Sequence, residues 1–211
     1  MSFVAAGFSL QCETIVQHDN NLQKTQTKIL LLPFNIKMRP IIIGIGGGHS
    51  GAGKTGIACM ILTKLPGWGA IKYTKTSLYG SITDDINVLS EQGKDTKRFL
   101  DSGAGKVIWV QSPFHELPEI LPLAAGMLSH LEGIIVEGNS AIDVLKPDIV
   151  IFVSGPEGRI KESAEHILRM ADVVIFERVL PAEMPEGAKK FRRDEAEKIL
   201  DFISGRINEM S

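Results

Sequence analysis

The segment Gly48-His49-Ser50-Gly51-Ala52-Gly53-Lys54-Thr55 meets the phosphate-loop pattern G-x-x-x-x-G-K-S/T at every fixed position. Glycines at this spacing let main-chain N–H groups approach a phosphate with no Cβ in the way, and a helix N-terminus behind them adds partial positive charge. Lys54 is expected to reach the terminal phosphates and Thr55 to hold Mg2+. The candidate nucleotide-binding residues thus run from Gly48 through Thr55 to Gly56. A second stretch, Gly133-Ile134-Ile135-Val136-Glu137-Gly138-Asn139, is an apolar run that ends in a carboxylate. In phosphate-loop proteins an acid at such a strand end faces the magnesium shell, usually through water. Lys54 and Glu137 are the candidate catalytic residues, and Thr55 and Glu137 the candidate metal holders. The plainer readings are a glycine-rich turn closing a strand on a helix, and a charge placed where a strand leaves the core.

Both groups need a sheet to carry them. Ile41-Ile42-Ile43-Gly44-Ile45 reads as a buried parallel strand entering the loop, and Gly56 to Leu62 as the helix leaving it, stopped near Leu65 by Pro66-Gly67. Ala70 to Thr74 reads as a second strand, followed by a long polar loop, Thr74 to Asn87. At the carboxyl edge of a parallel sheet such a loop borders the ligand, so its Asp84 and Asp85 are either magnesium or substrate ligands or a solvated turn. A short helix over 93–103, with Asp95 as N-cap and Gly103 as its stop, precedes the strand Val107 to Val110. Leu117 to Leu131 suits a helix interrupted near its start by Pro118 and Pro122. The runs 148–153 and 172–176 read as core strands around a helix at 162–170, and 192–210 as an amphipathic closing helix. Lys189-Lys190-Phe191-Arg192-Arg193 reads as a solvated charge run. The fold class is α/β, a P-loop NTPase-type three-layer sandwich with a mostly parallel central sheet.

A chain of 211 residues, 44% hydrophobic, buries one substantial core. Residues 1–38 show no sustained periodicity and are expected to form a mostly disordered extension, dispensable for the single domain at 39–211. The start lacks a basic leading segment, and Ile29-Leu30-Leu31-Leu32 is too short to span a bilayer. A net charge of -2 gives no broad attraction to nucleic acid or to an anionic membrane, so neither is expected as a partner. Cys12 and Cys59 stand far apart and the five histidines are scattered, so neither a disulfide framework nor a zinc site is supported. The simplest setting is the cytoplasm.

The loop Gly48 to Thr55, the strand Ile71-Lys72-Tyr73-Thr74, the segment Gly93 to Arg98 with Ser102-Gly103-Ala104-Gly105, and Ile135-Val136-Glu137-Gly138 occur in an order that resembles the molybdopterin-guanine dinucleotide biosynthesis protein B family, MobB. The likeness covers roughly residues 40–153. This chain has Tyr73-Thr74-Lys75 where that family commonly has histidines, and Gly138-Asn139 where it has Gly-Phe. The resemblance implies GTP binding with weak GTPase activity, and an accessory role beside molybdopterin and its guanylyltransferase, as a homodimer. It also implies that Lys94, Asp95 and Arg98 lie near the nucleotide or a bound anionic cofactor. Base choice is open on the residues themselves, because a guanine-reading Asn-Lys-x-Asp is absent and ATP would fit the same loop. The rival readings are a small-molecule kinase with the same loop and metal, and a binding-only regulator.

Overall fold

The computed structural model describes residues 39–210 in full and, before them, the backbone of residues 4–5, 8–19 and 22–33. It divides into two units, Met1–Met38 and Arg39–Ser211. In the first, β1 (Val4–Ala5), β2 (Phe8–Asp19) and β3 (Leu22–Pro33) form an antiparallel sheet in that order, with Asp19 opposite Leu22. The expectation of disorder for residues 1–38 falls partly outside the described residues; over the described backbone, paired strands stand where a tail was expected.

The second unit begins with β4 (Ile41–Gly47), the glycine loop and α1 (Lys54–Lys64), then β5 (Gly69–Lys75), β6 (Ser81–Thr83), α2 (Ile86–Leu89), α3 (Asp95–Asp101) and β7 (Lys106–Ser112). A 3-10 turn at Phe114–Glu116 leads to α4 (Leu117–Gly126), β8 (Gly133–Glu137), α5 (Asn139–Leu145) and β9 (Ile149–Val153). The chain finishes with α6 (Glu162–Arg169), β10 (Val173–Phe176), β11 (Lys189–Arg192) and α7 (Ala196–Met210). Strand order is β11-β10-β9-β4-β8-β5-β7-β6, parallel throughout except β6 against β7.

Alternation along the strands divides the core into two faces. Ile43, Ile45, Ile149, Ile151 and Val153 pack with Ile57, Ile61 and Leu62 of α1, Phe99 of α3 and Ile199 and Ile203 of α7. Ile42, Ile71, Ile108 and Val110 meet Leu117 and Leu121 of α4 on the opposite face, while Val150, Phe152 and Val174 meet Ile167 and Leu168 of α6. Helices therefore cover both faces, and the architecture is the expected P-loop NTPase-type three-layer α/β sandwich.

Three local expectations change. The stretch 74–87 is not a continuous loop: it contains β6 and the start of α2, whose N-cap is Asp85, accepting from the Asn87 N–H at 2.9 Å. Asp95 does not cap α3; Lys94 holds that position and Asp95 opens the first turn, where a carboxylate suits the helix dipole. The basic run at 189–193 is mostly the parallel edge strand β11, whose alternation leaves Phe191 half-buried and packed against the core. Lysine-rich edges of this kind discourage pairing with other chains.

Candidate functional site

β8 lies between β4 and β5, an order that brings the end of one strand beside the loop that follows another. Ile45 pairs with Glu137 on one side, and Lys72 of β5 pairs with the same residue on the other. The glycine loop leaves β4 at this edge. Gly51 has φ +77° and Gly53 φ +95°, left-handed values that side-chain-bearing residues resist. The first helical bond of α1 runs from the Ile57 N–H to the Gly53 carbonyl, leaving the N–H groups of the preceding turn without helical partners. A cleft of about 980 Å³ opens over them, lined by loop residues together with Lys72, Asp95, Arg98, Glu137 and Arg193.

Lys54 projects into this cleft. Its ammonium donates to the His49 carbonyl at 3.2 Å, the one hydrogen bond it makes among the described residues. Burial, helped by the nearby charge of Lys72, holds its pKa below the ordinary lysine value against the opposing pull of Glu137 and Asp95. An ammonium in that position is short of negative charge.

Glu137 is 3% exposed, and both of its oxygens are engaged. The Thr55 hydroxyl donates to Oε2 at 2.9 Å, and the Lys72 ammonium donates to Oε1 at 2.7 Å. The same ammonium stands 2.6 Å from Asp95 Oδ2, and Arg98 approaches the other oxygen of Asp95 at 3.6 Å. Burial alone would raise the Asp95 pKa, but Lys72, Thr55 and Arg98 together outweigh it and hold the carboxyl below its ordinary value. A depressed carboxylate stabilises the fold above its unfolded pKa, and loses that contribution as pH falls through the folded value. We expect the urea-unfolding difference between wild type and Asp95→Asn to be largest near neutrality and to close as pH falls from the ordinary carboxylate range through the lower folded value.

Asn139, the first residue of α5, accepts from the Gly47 N–H at 2.9 Å and donates to the Gly47 carbonyl at 3.0 Å. This two-way bond ties the root of the glycine loop to the β8 strand end and gives the asparagine a role of its own. Asn139→Ala leaves both Gly47 groups without these partners. It is expected to lower unfolding free energy by about 1–3 kcal/mol, read by urea denaturation.

The structure thus gathers Gly48 to Gly51, Gly53 to Gly56, Asp95, Arg98 and Glu137 around one cleft, while Ala52 is buried behind the loop with its carbonyl turned to Arg193. It does not bring Lys94 there: that ammonium pairs with Glu91 at 2.8 Å, donates to the Val88 carbonyl and lies 4.6 Å from the centre of the Trp109 ring. Asp84 pairs with Lys106 at 2.9 Å, and Asp85 is spent on the α2 cap. Neither lines the cleft.

Sequence reasoning missed Lys72 and Arg193. The signal for Lys72 was a lone charge inside an apolar strand, which burial penalises unless a partner waits. Arg193 follows β11, donates to the Ala52 carbonyl of the loop and stands 3.6 Å from Glu177 at the end of β10. Nothing local in the sequence announces that reach.

No family model matches this chain, and no curated protein matches it. Among solved structures, LpxK from Aquifex aeolicus in complex with ATP is 16% identical, with a TM-score of 0.43 over 72% of this chain and 53% of that one. A protein described as a plasmid partition protein from Borrelia burgdorferi, bound to AMPPNP, is 17% identical, with a TM-score of 0.37 over 78% of this chain and 82% of that one. The chain spans about half the length of LpxK. The fold assignment rests on the sheet and loop described above. No helix among the described residues is long and apolar enough to cross a membrane.

Proposed function

We propose that the cleft binds a magnesium nucleoside triphosphate and slowly hydrolyses its terminal phosphoryl group. The observation that carries this reading is the half-buried Lys54 ammonium, bonded among the described residues to a single carbonyl, beside a first helical turn whose N–H groups have no helical partners. Such an arrangement is under-supplied with negative charge, and a polyphosphate supplies it.

The donor set fits a hard cation. The Thr55 hydroxyl and the Glu137 carboxylate face each other, Asp95 stands alongside, and an ammonium already occupies the space between the two acids. Thr55 and Glu137 would hold Mg2+, which when bound supplies charge neutralisation at the phosphates. The chain's own part is then positional: loop N–H groups and Lys54 bind and orient the phosphates, and the Gly47–Asn139 bond fixes the loop's root. No side chain in this set is assigned as a general base, in keeping with weak turnover.

The finer reading is GTP, with an accessory role in attaching a guanine nucleotide to molybdopterin. It is supported by the four stretches that resemble MobB. The kinase reading draws support from the cleft itself, which continues past the loop to Lys75 and Ser163 and leaves room for an acceptor. A product analysis tests both. The protein is incubated with GTP or ATP and Mg2+, with and without molybdopterin or a metabolite panel, and orthophosphate and phosphorylated acceptor are measured. Slow orthophosphate release, faster with GTP, supports the accessory reading. Stoichiometric transfer to an added compound overturns it in favour of the kinase.

A further inference from the structure

The Asp95 and Glu137 carboxylates converge on one cation, and that cation belongs to the chain. Lys72 Nζ lies 2.7 Å from Glu137 Oε1 and 2.6 Å from Asp95 Oδ2, while Thr55 bonds the remaining Glu137 oxygen. Its side chain is only 17% exposed, so the two ion pairs are shielded and stronger than surface pairs. Lys72 reaches this place from β5, a strand fixed on both flanks by β7 and β8, and not from the mobile end of a helix.

We propose that Lys72 is a resident counter-cation that competes with the divalent ion for the Glu137–Asp95 pair, and that Asp95 belongs to the cation site as fully as Glu137 does. Two cations cannot share those oxygens at such distances without strong repulsion. A divalent ion that bridges Glu137 Oε1 and Asp95 Oδ2 therefore requires the ammonium to leave, and the only other anion the site is proposed to receive is the polyphosphate. The consequence is ordered loading: without nucleotide, Lys72 keeps the site closed to free magnesium; with nucleotide, the ammonium gains an alternative partner as the metal arrives. This rests on the nucleotide-binding reading for its second half only, since competition for the two acids exists in the nucleotide-free chain.

The experiment is Mn2+ binding to the nucleotide-free full chain, followed by electron paramagnetic resonance of free Mn2+, with magnesium competition. Lys72→Met removes the charge while keeping a long side chain, and is expected to tighten Mn2+ binding about ten-fold or more, within the usual range of coupling between competing ligands. Lys72→Arg, which keeps a cation, is expected to bind Mn2+ as weakly as wild type. Adding Asp95→Asn to Lys72→Met should remove most of the gain. Unchanged or weaker Mn2+ binding in Lys72→Met, with folding verified by circular dichroism, overturns the proposal, as does a gain that survives Asp95→Asn. Triphosphate binding is measured on the same samples: a Mn2+ gain without triphosphate binding upholds the competition and rejects the nucleotide reading, so the two fail separately.

Discussion

Lys54→Ala is expected to weaken triphosphate binding roughly 10- to 150-fold, the worth of one charge-assisted hydrogen bond of about 1.5–3 kcal/mol, and to lower turnover a further 100-fold or so. The assays are fluorescent-nucleotide titration and orthophosphate release. Folding should not suffer, because this ammonium has one carbonyl partner and a pKa depressed by burial. The sign follows from linkage. With the folded pKa below the ordinary lysine value, the unfolded chain binds more protons in the interval between them, so this group's contribution to stability rises with pH through that alkaline window. Lys54→Ala should flatten that rise, and a bound polyphosphate should also flatten it by restoring the ammonium. A variant with wild-type affinity and turnover would remove Lys54 from the mechanism.

Glu137→Gln is expected to have the next largest effect. The carboxylate receives the Thr55 hydroxyl on one oxygen and the Lys72 ammonium on the other. A glutamine has one accepting oxygen, so its amide group must face one of those donors. The loss of a hydrogen bond to a charged group predicts an unfolding free energy lower by about 1–3 kcal/mol. Loss of a metal-facing charge predicts magnesium-dependent turnover lower by about 100-fold. Urea denaturation and orthophosphate release against Mg2+ concentration measure the two. If turnover is retained at saturating magnesium, Glu137 is a structural acid only.

The fold was readable because its strands are continuous apolar runs, such as Ile41 to Ile45 and Ile149 to Val153, which only a sheet covered on both faces can bury. The glycine loop was readable because its constraint is local: two left-handed glycines and a helix start within a few residues. What escaped notice depends on strand order. Lys72 and Glu137 are far apart in sequence and become neighbours only because β8 inserts beside β5. Arg193 meets the Ala52 carbonyl only because α1 and the end of β11 approach the same loop. Lys94 was carried to the nucleotide by resemblance, yet the Trp109 ring and Glu91 supply nearer partners. Asp85 reads equally as a ligand or as part of a turn, because a cap and a ligand use the same carboxylate.

Whether this loop and its lysine receive a polyphosphate is measured by calorimetric titration of the wild-type protein with GTP in excess Mg2+. One saturable site per chain is expected, with a dissociation constant at or below the roughly millimolar upper range usual for enzyme substrates. The absence of any saturable uptake of GTP or ATP at millimolar concentration would contradict it.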